Sequence, residues 1–283
     1  LVAKLGFAPV IGEFFWRVKP DFAVRKGLEV AFAPGFDVPD AFVDDVDDMT
    51  FSAYDDSASG FDDYTKEEPL DQRVKETGKP LLDHVLDKLA DAGVGEAVVN
   101  VHYLPDQIID HVAHRSRPRI IISDERDEVL GTGGAVVKAL PLLGDAPFYH
   151  LNADTMWIDG VRPNLARMAD AFDPARMDIL LLMAPTATSI GYSGNGDYAM
   201  LTDGALRKRK EHQVVPFVYA GVAIMSPALF EDAPTGEFSL TKIFDRANDQ
   251  ERLFGLRLDG VWMHVGTPDA VQAAEKAFLV SVG

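Results

Sequence analysis

The carboxylate of Asp154 lies shortly after an apolar run in the middle of the chain. Residues 147–151 (PFYHL) have the composition of a buried strand, and Asn152-Ala153-Asp154 follow them. In open α/β sheets, ligands bind outside the carboxyl ends of the strands, where loops hold polar groups against the sheet. Asp154 could therefore act on a bound ligand there, or it could only cap a turn or a helix.

A glycine-rich stretch upstream runs straight into a helical pattern. Gly131-Thr132-Gly133-Gly134 precedes the apolar residues 135–143. Glycines allow close approach of the backbone, and the start of a helix exposes N–H groups to an anion or to the edge of a nucleobase. Alone, this motif is weak and is often only a tight turn.

Two further features could belong to a site. His264 precedes a Gly-Thr-Pro turn that leads into the last predicted helix, although a lone histidine is usually structural. Residues 207–210 (RKRK) could contact a phosphate, but a basic run of this kind is more typical of the solvated end of a hairpin.

The elements around these motifs alternate between strand and helix from residue 79 onward. The composition and periodicity predict strands at 96–101, 119–123, 147–151 and 177–184, and helices at 79–93, 104–115, 134–143 and 164–172. Such alternation predicts a parallel sheet with helices on both faces. The last third predicts a hairpin turning at Asp203-Gly204, strands at 216–225 and 253–259, and helices at 239–249 and 267–280.

Composition limits the class of protein and its partners. The net charge is −18 and there is no cysteine, which excludes a nucleic-acid partner, disulfides and thiolate metal sites, and favours a cytoplasmic location. No apolar run reaches the roughly 20 residues that cross a membrane. We expect residues 1–48 to form an acidic segment, residues 49–283 to form the α/β domain, and the protein to be a monomer or homodimer.

Five segments, in order, resemble successive signatures of the sugar-1-phosphate nucleotidyltransferase family. These are GKPLLDHVLDKLADAGV, LGTGGAVVKALPLLG, NAD, VYAGVAIMSPALF and WMHVGTPDAV, which lie within residues 78–280. The resemblance is greatest to the bacterial N-acetylmuramate-1-phosphate uridylyltransferases, and the mannose-1-phosphate guanylyltransferases are the alternative. It implies a Rossmann-like α/β fold of the nucleotide-diphospho-sugar transferase type, with a mixed, mostly parallel sheet and a small C-terminal α+β elaboration.

The resemblance implies a Mg²⁺-assisted reaction of UTP with N-acetylmuramic acid 1-phosphate that releases pyrophosphate, as in the recycling of cell-wall precursors. It assigns the metal to Asp154 and His264, and catalytic roles to Asp154 and Lys66. The implied nucleotide-binding residues are Asn100, Thr132, Gly133, Gly134 and Gly60. The implied sugar-binding residues are Gly196, Asp197, Tyr219 and Gly221.

The chain departs from the family pattern at two places. His264 stands where the family usually has a second metal-binding aspartate, and neutral imidazole is a poorer Mg²⁺ ligand than carboxylate. The family's basic, glycine-rich loop near its N-terminus matches Ser57 to Gly60, followed here by Asp62 and Asp63. These acids would repel a triphosphate unless Lys66 or Arg73 offsets them. The alternative is therefore a catalytically impaired relative that binds a nucleotide or nucleotide sugar in a regulatory role.

Overall fold

The computed structural model describes residues 2–4, 79–153 and 155–265, together with 274, 276 and 277. All of these residues belong to one compact unit, Leu1–Gly6 with Pro69–Gly283. The predicted helix at 267–280 lies outside the described ranges, apart from residues 274, 276 and 277. Within the described ranges, no helix is long and apolar enough to span a membrane.

The described strands and helices alternate through most of the chain. The strands are β1 (Val2–Lys4), β2 (Glu96–Val101), β3 (Arg119–Asp124), β4 (Phe148–Asn152), β5 (Thr155–Asp159), β6 (Ile179–Pro185), β7 (Tyr198–Met200), β8 (Leu206–Lys208), β9 (Phe217–Met225), β10 (Leu253–Arg257) and β11 (Gly260–His264). The helices are α1 (Leu81–Asp91), α2 (Pro105–Val112), α3 (Gly131–Leu143), α4 (Asn164–Ala171) and α5 (Thr241–Asp249), with a 3-10 turn at Pro227–Phe230.

One mixed sheet forms the centre of the described unit. Its main path runs β10-β6-β9-β4-β1-β2-β3, and the β7–β8 hairpin joins it through β9. Strands β4, β1, β2 and β3 are parallel neighbours, and β10 is parallel to β6. Strand β9 is antiparallel to both β4 and β6. The predicted α/β class with a mixed, mostly parallel sheet is confirmed.

Local sequence explains why these elements form where they do. In α1, Leu82, Val85, Leu86 and Leu89 recur at helical spacing and are buried, and Gly93 ends the helical segment at a φ of +81°. Strand β6 is a continuous apolar run that is buried along six of its seven residues, as expected for a strand covered on both faces. The hairpin between β7 and β8 turns at Gly204, whose φ is +91°, as predicted.

Three strands were not predicted. Strand β1 lies between β2 and β4 and pairs in parallel with both. Strands β5 and β11 form a separate antiparallel ribbon. Because Val2–Lys4 belongs to the same sheet as the later strands, the sheet takes residues from both sides of the predicted boundary at 48. The boundary itself falls outside the described residues and stays a prediction.

Candidate active site

The carboxyl end of β4 is enclosed by the backbone of β9. Asn152 ends β4, Ala153 is buried, and Thr155 begins β5. Gly221 of β9 has a φ of +77°, and a Cβ atom there would lie 3.2 Å from the Cβ atoms of Asn152 and Thr155. Only glycine fits this approach without strain. Gly221, predicted to contact the sugar, thus lies against both flanks of Asp154, which is itself outside the described residues.

Hydrogen bonds fix the far side of the same turn. The Thr155 hydroxyl donates to the Ala220 carbonyl oxygen at 2.6 Å. The Trp262 indole Nε1 donates to Thr155 Oγ1 at 2.6 Å and to the Ala220 oxygen at 3.1 Å. All three groups are buried. Strands β5, β9 and β11 therefore meet at one buried point, one residue after Asp154.

The β5–β11 ribbon sets the position of His264. His264 pairs with Thr155 in the ribbon register, so it lies across from the residue that follows Asp154. Its ring centre lies 5.7 Å from that of Trp262, and its backbone N–H donates to the Ile190 carbonyl oxygen at 2.9 Å. Among the described residues, no three His, Asp or Glu side chains converge as metal ligands. The metal-binding roles of His264 and Asp154 therefore stay predictions.

The glycine-rich start of α3 packs against the segment before α5. A Cβ atom on Gly133 would overlap the Phe238 ring, and one on Gly134 would overlap the Gly236 carbonyl oxygen. The Gly133 N–H donates to the Phe238 oxygen at 2.8 Å, and Thr132 Oγ1 accepts from the Leu240 N–H at 2.7 Å. Close protein packing is therefore sufficient to explain these glycines, and their role toward a nucleobase stays a prediction.

Asn100 joins three elements at the end of β2. Its side-chain amide donates to Glu125 after β3 and to the Ala135 carbonyl oxygen in α3, the latter at 3.2 Å. Both Asn100 and Glu125 are buried. These contacts hold the amide near the start of α3, next to the region predicted to receive the nucleobase.

A cavity of about 330 Å³ opens beside the end of β4. Asn152, Asp197 and Tyr219 line it, together with the start of α5. Asp197 Oδ2 accepts the Tyr219 backbone N–H at 2.9 Å, and the Tyr219 ring packs edge-on against Phe244 with 5.4 Å between centroids. Two predicted sugar-binding residues thus share one cavity wall.

Gly196 immediately precedes Asp197, which lines this cavity. Its φ is +75°, and a Cβ atom there would overlap the Val215 carbonyl oxygen, so the position requires glycine. Its N–H donates to the Tyr192 hydroxyl at 3.0 Å. The neighbouring Tyr198 phenol also lines the cavity, and burial raises its pKa, so it stays neutral.

Sequence reasoning assigned residues 207–210 to solvent, and this is correct only in part. Arg207 is exposed and pairs with Glu251 at 2.9 Å. Lys208 and Arg209, however, line the cavity. Lys208 Nζ pairs with Asp245 at 2.6 Å, and Arg209 Nε donates to the Gly196 carbonyl oxygen at 2.8 Å. Arg207, Lys208 and Lys210 are exposed and Arg209 is half-buried, and the run of four basic residues gave no sign that Lys208 and Arg209 line a cavity.

Comparison with known proteins gives several relatives, among them N-acetylmuramate alpha-1-phosphate uridylyltransferases and mannose-1-phosphate guanylyltransferases. No model of a known protein family matches the chain. The N-acetylmuramate alpha-1-phosphate uridylyltransferase of Caulobacter vibrioides is 42% identical over 206 residues, which cover 71% of this chain and 85% of the relative. The enzyme of the same name from Neisseria meningitidis is 27% identical over 201 residues, covering 70% of this chain and 84% of the relative.

A solved structure has the same fold. HddC from Yersinia pseudotuberculosis, in complex with GMP-PN, superposes with a TM-score of 0.56 at 22% identity, covering 74% of this chain and 89% of that one. This likeness supports the fold alone. The extent and identity of the Caulobacter match decide the family: the chain belongs to the sugar-1-phosphate nucleotidyltransferases.

Proposed function

We propose that the protein transfers a uridylyl group from UTP to N-acetylmuramate 1-phosphate and releases pyrophosphate. The names of the two relatives suggest this substrate pair. The structural observation that carries the proposal is the close approach of Gly221 to Asn152 and Thr155, beside the cavity lined by Asp197 and Tyr219. It supports a sugar phosphate reaching the strand end at which Asp154 stands.

In this reaction the protein's main task is to position the two substrates. An oxygen of the sugar phosphate attacks the α-phosphorus of UTP, a new P–O bond forms there, and the bond to the pyrophosphate leaving group breaks. Such a displacement needs the two phosphates in line and their negative charge offset, and it needs little covalent help. The buried bonds among Thr155, Ala220 and Trp262 support a rigid turn for this purpose.

The substrates would occupy two sides of the β4 end. On one side, Asn100 and the start of α3 would receive the nucleotide, with Thr132, Gly133 and Gly134; Thr132 also lines the cavity, so the two substrates would meet there. On the other side, the cavity lined by Asp197 and Tyr219 would receive the sugar, with Gly196 and Gly221 beside it. Because β4 lies between β1 and β9 in the sheet, Asp154 would stand between the two substrates.

A Mg²⁺ ion would be held by Asp154 and, directly or through water, by His264. When bound, it would offset charge on the phosphates. The β5–β11 register supports the pairing of these two residues, because it sets His264 across from Thr155. Lys66 and Gly60, proposed to contact the triphosphate, lie outside the described residues.

Substitution of Asp154 tests the proposal. Asp154→Ala should reduce pyrophosphate release from UTP and N-acetylmuramate 1-phosphate by about 100-fold or more, as expected when a group that organises the phosphates is lost. Asp145→Ala is the matched control, since Asp145 is an exposed carboxylate in the turn just before β4. Equal rates for the unaltered protein and Asp154→Ala, with the melting temperature retained, would remove Asp154 from the mechanism.

The alternative is a relative that binds without turnover. The observation in its favour is the run of acids after Ser57 to Gly60, where the family has basic residues. Calorimetric binding of UDP-N-acetylmuramate without pyrophosphate release from any nucleoside triphosphate would support it over the transferase.

A further inference from the structure

We propose that Arg209 binds the lactyl carboxylate of the sugar substrate and so selects N-acetylmuramate 1-phosphate over sugar phosphates that lack an acid. This inference rests on the proposed function. N-Acetylmuramate carries an ether-linked lactyl group whose carboxylate is ionised at neutral pH. A site that recognises it needs a cation close to the sugar pocket.

The cavity connects the strand end with Arg209. Asn152, two residues before Asp154, lines one end, and Arg209 lines the hairpin side. Asp197 and Tyr219 lie between these two regions in the sheet, because Asp197 accepts the Tyr219 N–H and its carbonyl oxygen accepts the Arg209 N–H at 2.8 Å. A sugar whose phosphate points to the β4 end could thus direct a substituent toward the guanidinium.

Arg209 is held in place while its charge is left without an acidic partner. Its Nε donates to the Gly196 oxygen at 2.8 Å, and Nη1 lies 3.4 Å from the Gln213 oxygen. Within the described residues, no carboxylate oxygen lies within 4 Å of this guanidinium, which is half-buried. A guanidinium has five N–H donors, so donors remain for a bidentate bond to a ligand carboxylate.

The two basic residues before Arg209 differ from it, because each one has an acidic partner. Lys208 lines the same cavity, but both oxygens of Asp245 accept from its ammonium, at 2.6 and 2.8 Å. Arg207 does not line the cavity, and it pairs with Glu251 at 2.9 Å. Among these three adjacent basic residues, Arg209 alone combines a place in the cavity wall with an unmatched charge.

The charges around the cavity make such a cation necessary for an acidic sugar. Asp197 and Asp245 line the cavity, and the whole chain carries a net charge of −18. Because the Lys208 charge is already matched by Asp245, a ligand carboxylate entering without a further cation would meet net repulsion from Asp197. Arg209 offsets that repulsion, while Asp197 can accept hydroxyl donors of the sugar with the oxygen that Tyr219 leaves open.

Calorimetry with the full-length chain tests the assignment. The measured quantity is the ratio of the Kd for N-acetylglucosamine 1-phosphate, which lacks the lactyl group, to the Kd for N-acetylmuramate 1-phosphate. We expect this ratio to exceed one in the unaltered protein and to fall about 10-fold or more in Arg209→Gln, the loss typical of a charge-assisted hydrogen bond. Arg207→Gln, which alters a residue two positions earlier in the chain, should keep the original ratio.

Two further measurements keep the inference testable if Arg209→Gln does not fold. Arg209→Lys keeps the charge but loses the planar fork, so its ratio should lie between those of the unaltered protein and Arg209→Gln. The unaltered protein should also bind the lactyl amide of N-acetylmuramate 1-phosphate about 10-fold more weakly than the acid. Equal affinity for acid and amide, or a ratio that Arg209→Gln leaves unchanged, overturns the inference.

Pyrophosphate release, measured on the same proteins, separates this inference from the proposed function. Preference for the acidic sugar that depends on Arg209, without release, would retain the binding assignment and reject the transfer reaction. Release at equal rates with both sugar phosphates, with no effect of Arg209→Gln on the ratio, would retain the transferase and reject the assignment.

Discussion

Asp159, at the end of β5, joins the ribbon to two helices. Its Oδ2 accepts from Lys88 Nζ of α1 at 2.7 Å, and its Oδ1 accepts from the Asn164 N–H of α4 at 2.8 Å and from Trp157 Nε1 at 2.9 Å. The Lys88 ammonium also lies 4.6 Å from the centre of the Trp157 ring. Burial alone would raise the pKa of Asp159, but the bonds from Lys88, Asn164 and Trp157 outweigh it and hold the pKa below its ordinary value of 3.8.

Asp159→Asn should lower the free energy of unfolding by about 1.5–3 kcal/mol at pH 7, the usual effect of hydrogen bonds to a charged group. Because the folded state has the lower pKa, this stabilisation is complete above about pH 5 and is lost as the pH falls through the unfolded and then the folded pKa. Urea unfolding at pH 7 and pH 3.5 should therefore show a smaller difference between the unaltered protein and Asp159→Asn at the lower pH.

Asp170→Asn is the control for Asp159→Asn. Asp170 pairs with Arg162 at 2.6 Å, but both side chains are largely exposed, so its loss should cost less than about 1 kcal/mol. An equal effect of the two substitutions, or a difference for Asp159→Asn that does not depend on pH, would contradict this account of Asp159.

At the residue scale, the sequence suggests which residues could belong to the site but not which residues they contact. The resemblance placed Asp197, Tyr219 and Gly221 on the sugar side, and the structure gathers them beside the β4 end. Contacts between distant parts of the chain cannot be predicted in this way. Thr132 and Gly133 pack against Leu240 and Phe238, about a hundred residues away, and no local sequence pattern indicates such a contact.

At the element scale, the central feature is the approach of β9 to the turn after β4. Gly221→Ala should lower both stability and activity, because alanine is strained at a φ of +77° and its Cβ would press on Asn152 and Thr155 at 3.2 Å. We expect a cost of about 1–3 kcal/mol in the free energy of unfolding and a loss of about 10-fold or more in kcat/KM, since small misplacements at a reacting centre are costly.

Gly93→Ala separates backbone strain from crowding. Gly93 has a φ of +81°, but nothing lies within 4 Å of its added Cβ, and it follows α1 rather than β4. The Gly93→Ala variant should have a free energy of unfolding that is lower by about 1 kcal/mol, and its kcat/KM should be unchanged. Equal losses of kcat/KM in both variants would show that the approach of Gly221 to the turn has no bearing on the site.

The elements found from sequence are those with strong periodicity. Strand β6 and helix α1 are long and apolar enough to be predicted locally. Strands β1, β5 and β11 have three to five residues each, and their extended form depends on partners distant in the chain: β1 lies between β2 and β4, and β5 pairs with β11. Short strands that depend on such pairing carry little signal of their own.

At the scale of the whole molecule, strand–helix alternation from residue 79 was sufficient to predict the fold class. It could not predict the reversal of β9 within the sheet, which places Gly221 against Asn152 and Thr155. The net charge of −18 excludes a broad basic surface, so recognition of anionic substrates must depend on a few placed groups. Arg209 and the residues around Asp154 are those we propose.

The most direct test is pyrophosphate release by the unaltered, full-length protein, supplied with Mg²⁺, N-acetylmuramate 1-phosphate and each nucleoside triphosphate in turn. The account predicts release with UTP, with one UDP-N-acetylmuramate formed for each pyrophosphate, and much slower release with GTP. The absence of release with every triphosphate, from protein that melts cooperatively, would contradict the central claim that this chain is a working uridylyltransferase.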